Sequence, residues 1–109
     1  MSVEIRGEVD AGLEAIASAL GAYEKDHQAA KITLYRNSRF SVRIRIIDPD
    51  FTGMRRVDRS DRVWDYLARL SEDDQADIHQ FVVIAPREVE KSLGNFVFEN
   101  PVEADWAEN

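Results

Sequence analysis

Arginine carries most of the chemistry this chain can offer, and its placement is uneven. Arg36, Arg39, Arg43, Arg45, Arg55, Arg56, Arg59 and Arg62 all lie between positions 36 and 62. The acids of that stretch are Asp48, Asp50, Asp58 and Asp61. The middle of the chain is therefore basic and its ends acidic, within a formal net charge of −7. Guanidinium groups hold carboxylates and phosphates bidentately. The band thus reads as a docking patch for an acidic protein surface, a phosphate or a nucleic-acid backbone. The alternative reading is a solvated surface laced with ion pairs.

Other reactive residue types are sparse. There is no cysteine, which removes disulfides, thiolate nucleophiles and any metal cluster held by the chain's own thiolates. Of the two histidines, His79 opens an apolar run and is the strong ligand candidate; His27 lies in a stretch without pattern. Ser38, Ser41, Ser60 and Ser71 have no histidine base nearby in sequence, so no catalytic triad is legible. Neither glycine-rich phosphate loop is present, and the Gly-x-x-Gly clamp of RNA-binding KH domains is absent. Gly53 reads as a tight turn, and Asp73-Asp74 as a solvated loop. The chain is expected not to be an enzyme.

The elements that must position these residues follow from periodicity. A length of 109 residues predicts one domain. Hydrophobic and charged fractions of 44% and 32% fit a soluble globular protein. No apolar stretch approaches membrane-spanning length, and acids at Glu4, Glu8, Asp10 and Glu14 stand where a signal peptide would be basic; a cytoplasmic location is expected. Val9, Leu13, Ile16, Ala17 and Leu20 predict an amphipathic helix. Ile32 and Leu34 alternate with polar partners, Asn37-Ser38 turns, and Phe40, Val42, Ile44 and Ile46 alternate with Ser41, Arg43 and Arg45. This is a hairpin with one apolar face under helices. Its other face carries Arg43 and Arg45 and is expected to be wet or docked, so that reversing both charges should barely change stability.

A second helix is predicted from Asp58 as N-cap, burying Val63, Trp64, Leu67 and Leu70. Positions 71–77 read as a polar loop and Ile78 to Ile84 as a third strand, apolar on both faces and therefore parallel to its neighbour. Pro86 should open a last helix that Gly94 ends. Phe96, Val97 and Phe98 must pack as an extended segment or an extra turn.

Phe51-Thr52-Gly53-Met54-Arg55, the following helix with Arg59, Trp64 and Leu67, and Ile78-His79 at the head of the third strand resemble the signature of BolA-like proteins. The resemblance spans about positions 10 to 90. It implies an α+β, class II KH-like αββαβα fold, with a three-stranded mixed sheet and helices packed on one face. It implies a single BolA-like domain over 1–100, followed by an acidic C-terminal tail over 101–109. It further implies a non-enzymatic adaptor or stress-linked regulator that pairs with a monothiol glutaredoxin in iron–sulfur trafficking. No cofactor is expected on the chain alone. A [2Fe–2S] cluster would be shared with the glutaredoxin and glutathione through His79, and Arg39, Arg55, Arg56 and Arg59 would bind the partner. The hairpin loop Arg36-Asn37-Ser38-Arg39 offers no histidine or cysteine as a second ligand. The alternative is a KH-like nucleic-acid-binding or transcriptional regulator using Arg43, Arg45, Arg59 and Arg62.

Overall fold

A computed structural model describes residues 3–100 of the chain. Four strands, β1 (Val3–Arg6), β2 (Lys31–Ser38), β3 (Ser41–Ile47) and β4 (Ile78–Ile84), form one mixed sheet in that spatial order. The β2–β3 hairpin is antiparallel, and each hairpin strand has an outer neighbour parallel to it. Parallel neighbours need crossovers. Helix α1 (Ala11–Asp26) supplies the first, and α2 (Arg56–Leu67) with the short α3 (Glu72–Ala76) the second. Helix α4 (Leu93–Glu99) follows β4 after a 3₁₀ turn over Pro86–Lys91. The expected acidic tail, 101–109, lies outside the described residues.

The α+β class is as the sequence predicts, and the 41–47 strand is interior. The strand count is not: β1 makes four strands rather than three. It is four residues long, too short to show alternation, and its pairing with β2 is a tertiary event. Two smaller expectations also change. Asp58 does not cap α2; the helix begins at Arg56, and Asp58 sits in its first turn. Positions 72–76 are helical because the Ser71 hydroxyl caps them, accepting from Asp74 N at 3.1 Å.

One face of the sheet carries the larger core. Leu13, Ile16, Leu20 and Tyr23 of α1 and Val63 and Leu67 of α2 close over Ile32, Leu34, Val42, Ile44 and Ile46. The start of α1 is held twice by one side chain. Asp10 accepts from Leu13 N at 2.8 Å and takes Arg36 of β2 bidentately, at 2.6 and 3.1 Å.

The opposite face is not wet. The sequence predicts a helix ending at Gly94; instead Ser92 caps α4, accepting from Asn95 N at 3.0 Å, and the helix runs on through Phe96, Val97 and Phe98. It folds back over the second face of the sheet, so helices cover both faces rather than one. Phe98 is fully buried against Val82 and Ile84, with Tyr35 and Ile47 beside it. Alternation does send Arg43 and Arg45 to this face, as expected, but there they are buried, at 7% and 9% exposure. The Arg45 guanidinium stacks 4.9 Å over the Phe98 ring and donates to Asn95 Oδ1 at 3.0 Å, to Thr33 and to Glu99. Glu99 also takes Arg6 of β1 at 2.9 Å. Hydrogen bonds from Arg6 and then Arg45 hold its carboxyl below the usual carboxylate range. Arg43 donates to Tyr35 Oη and to the Val97 carbonyl, and Tyr35 Oη donates to the Phe98 carbonyl at 2.7 Å.

The docked face is thus docked on the chain's own last helix. Arg43→Glu with Arg45→Glu buries two carboxylates beside Glu99 with no counter-charge of their own, and an uncompensated buried charge costs about 3–5 kcal/mol. The double variant should lose that much in denaturant unfolding. An unchanged midpoint would show that α4 does not cover these arginines.

Candidate functional site

The segment that joins β3 to α2 is built around two local devices. Asp48 ends β3, and its carboxylate accepts from Asp50 N at 2.9 Å, starting a 3₁₀ turn over Pro49–Phe51. That turn drives Phe51 into the core, fully buried. Gly53 then adopts φ +81°, a left-handed conformation that a side chain would strain. The chain reverses and delivers Arg55, Arg56 and Arg59 to the start of α2.

These three arginines separate. Arg59 turns inward and is 5% exposed. Its Nε donates to the Met54 carbonyl at 3.0 Å and its Nη1 to the Val83 carbonyl at 3.2 Å. The fork holds Glu88 bidentately at 2.7 and 2.9 Å. Glu88 in turn accepts from Ala85 N at 3.0 Å, fixing the 3₁₀ turn after β4. Hydrogen bonds from the Arg59 guanidinium, with help from Ala85 N–H, hold the Glu88 carboxyl down at about 2. Arg59 is therefore committed inside the molecule and not presented to a partner. Arg55 is exposed and paired with Asp58 at 2.9 Å; Arg56 is exposed.

Beside Arg59 opens a cavity of 540 Å³, lined by Met54, Arg56, Ile84, Arg87 and Lys91 among others. Its one acid, Glu88, is taken by Arg59. Arg56, Arg87 and Lys91 make the opening cationic on a chain of net charge −7. Sequence reasoning missed Arg87 and Lys91. They stand in a mixed-charge segment, Pro86 to Lys91, that looks like a solvated helix face until the Arg59–Glu88 pair turns it toward α2.

The remaining predicted residues lie elsewhere. Arg39 is exposed in the β2–β3 turn, its guanidinium 5.8 Å from the ring of the exposed Phe40. His79 is exposed near the same end of the sheet, at a bulge where β3–β4 pairing steps from Val42↔Ile78 to Arg43↔Gln80. Four residues of strand separate His79 from Val83, where Arg59 docks, about 13 Å at ~3.3 Å per residue. His79, Arg39 and Arg59 therefore do not converge. Arg62 is half-buried on α2, and Arg43 and Arg45 lie under α4. The His79 ring has no hydrogen-bond partner among the described residues. The hairpin beside it adds no imidazole.

His27 joins a group that its sequence surroundings do not reveal. Its ring stacks on Tyr23 at 4.2 Å, with Nδ1 3.0 Å from Asp50 Oδ2 and 3.8 Å from Asp48 Oδ2. Tyr23 Oη donates to Asp48 Oδ2 at 2.5 Å. Burial first, then this hydrogen bond, push the Tyr23 phenol far above its usual range. Ligand atoms of His27, Asp48 and Asp50 lie within 4.8 Å of one another, a spacing a divalent cation can bridge. Internal hydrogen bonds already occupy the buried carboxylate, and the group serves as the corner joining the end of α1 to the end of β3.

Comparison with protein-family models, with curated proteins and with solved structures finds no match to this chain. The site is defined by the geometry around Arg59 and Glu88.

Glu88 gives that geometry a pH signature. Its folded pKa of about 2 lies below the ordinary value of 4.5. Its contribution is therefore present above about pH 4.5 and fades as pH falls toward 2. The side chain is 39% exposed, and solvent screening keeps the contribution to about 1 kcal/mol. Glu88→Gln should be less stable than the native chain at pH 7, with the two unfolding curves converging by pH 2. A constant gap across that range would contradict the pairing.

Proposed function

We propose that this chain is a small, non-enzymatic protein-binding adaptor of the BolA-like kind, with a class II KH-like core. The observation that carries the reading is the cationic cavity formed by Arg56, Arg87 and Lys91 on an otherwise acidic molecule. A fixed concave patch of one charge favours an acidic partner surface. The path from α1 through the hairpin and α2 to β4, with β4 parallel to β3, supports the KH-like core. So does the Phe51-to-Arg55 crossing, whose glycine takes the left-handed turn.

The alternative, a nucleic-acid-binding module, is less well supported. Of its four arginines, Arg43 and Arg45 lie under α4 and Arg59 is paired inside, which leaves Arg62. No helix among the described residues is long and apolar enough to cross a membrane. A reducing cytosol suits a partner of the monothiol glutaredoxin class. His79, exposed and without a hydrogen-bond partner among the described residues, suits a cluster shared with that partner, to which this chain would offer one imidazole.

The test is to mix the chain with a monothiol glutaredoxin carrying a glutathione-bound [2Fe–2S] cluster. Visible circular dichroism should change on mixing, and His79→Ala should alter that spectrum while leaving the far-ultraviolet spectrum of the chain alone intact. Complex formation without any difference between native and variant spectra would remove the shared cluster and leave the adaptor reading. Absence of a complex would remove the glutaredoxin as partner.

A further inference from the structure

We propose that the partner segment is an extended acidic peptide that adds to the free edge of β4 as a fifth strand, between α2 and the start of α4. The proposal rests on the adaptor reading and names the chemistry of its partner. β4 is the last strand of the sheet and pairs only with β3 among the described residues. The Ile84 carbonyl accepts from Asp48 N at 3.0 Å, so Ile84 turns its backbone groups toward β3. Alternation then turns those of Val83 and Phe81 outward. Arg59 confirms the phase, because its Nη1 reaches the Val83 carbonyl from the open side, at 3.2 Å. What remains on the edge is Val83 N–H with the N–H and C=O of Phe81. An edge whose backbone groups have no strand partner among the described residues is a template for another strand.

The surroundings of the edge specify the strand. A narrow cleft of 120 Å³ runs along Phe81 to Ile84 between Ser60 of α2 and Gly94 of α4. Arg56, Ile84 and Ser92 line both this cleft and the cationic cavity, so the two form one groove. Two apolar residues next in sequence to lining residues are exposed, Val57 after Arg56 and Leu93 between Ser92 and Gly94, at 55% and 75%. A peptide with acidic residues for Arg56, Arg87 and Lys91 matches the cations of the groove. Period-2 alternation puts the acids of such a strand on one side and leaves the other side for β-branched residues. A second copy of the chain is disfavoured, because an edge-to-edge pair would set these cations against their own duplicates. A nucleic acid has no backbone donors and acceptors in the spacing of a strand.

The probe is a blocked, fluorescein-labelled eight-residue peptide alternating glutamate and valine. The controls are the lysine–valine peptide and an eight-nucleotide oligothymidylate. Fluorescence anisotropy on the full chain should show saturable binding of the acidic peptide alone. Amide hydrogen exchange at Phe81 and Val83 should slow at least tenfold on binding. Arg56→Glu with Lys91→Glu should weaken binding at least tenfold without moving the melting temperature, since both side chains are exposed. Equal binding of the basic peptide, competition by the oligonucleotide, binding without protection of Phe81 and Val83, or no binding would each overturn the proposal. The glutaredoxin mixture read in parallel separates the two levels. A retained complex with no peptide binding removes the fifth strand only. Peptide binding without that complex removes the glutaredoxin only.

Discussion

One guanidinium organises the half of this molecule that carries the cationic cavity. Arg59 leaves the first turn of α2 and closes three gaps that the topology creates. The crossing from β3 leaves the Met54 carbonyl facing inward, the edge of β4 leaves the Val83 carbonyl without a strand, and the turn after β4 has to be held against α2. Arg59 meets all three, the last through Glu88. A planar fork with several donors at fixed angles does this; a lysine has a single ammonium and cannot. Glu88 then fixes Ala85 N–H, and with it the register of the turn that presents Arg87 and Lys91. The residue is structural, yet the cationic opening exists because of it.

The second face of the sheet applies the same chemistry to a different end. Arg45 and Arg6 converge on Glu99, and Arg45 also lies flat on Phe98. An arginine on a sheet face has a long apolar stem, and a short helix that brings one phenylalanine and one glutamate can satisfy both stem and head. Polar satisfaction and apolar burial thus pull the seven-residue α4 onto the sheet together. That is why a face with two central arginines ends up dry, and why those arginines leave the surface where nucleic acid could meet them.

The larger core was legible because it is written in period. Leu13, Ile16 and Leu20 at helical spacing and Val42, Ile44 and Ile46 at strand spacing each report one buried surface, and Phe81 to Ile84, an unbroken apolar run, reports one on either side of the sheet. The candidate site was legible only in part. Arg55 and Arg56 were marked by density of charge and do reach the surface. Arg59 carries the same signal and goes inside, because direction along a helix turn is decided by what stands opposite. Arg87 and Lys91 carried no signal at all, since a cation next to an acid reads the same on any solvated turn. His27 was invisible as part of a group because its partners, Asp48 and Asp50, lie across the sheet end, more than twenty positions away.

By itself the sequence determined the α+β class, the β2–β3 hairpin, the crossover to β4, and the sending of Arg43 and Arg45 to the face opposite Val42, Ile44 and Ile46. Each of these follows from local sterics and from the alternation of neighbouring residues, which need no distant partner. Tertiary structure alone decided that β1 joins the sheet, that α4 covers the second face, and which arginines remain available. Those outcomes depend on pairings such as Arg6 with Glu99 and Arg59 with Glu88, 93 and 29 positions apart. Such a contact forms only after the chain has closed both loops, and no window of sequence contains its two ends.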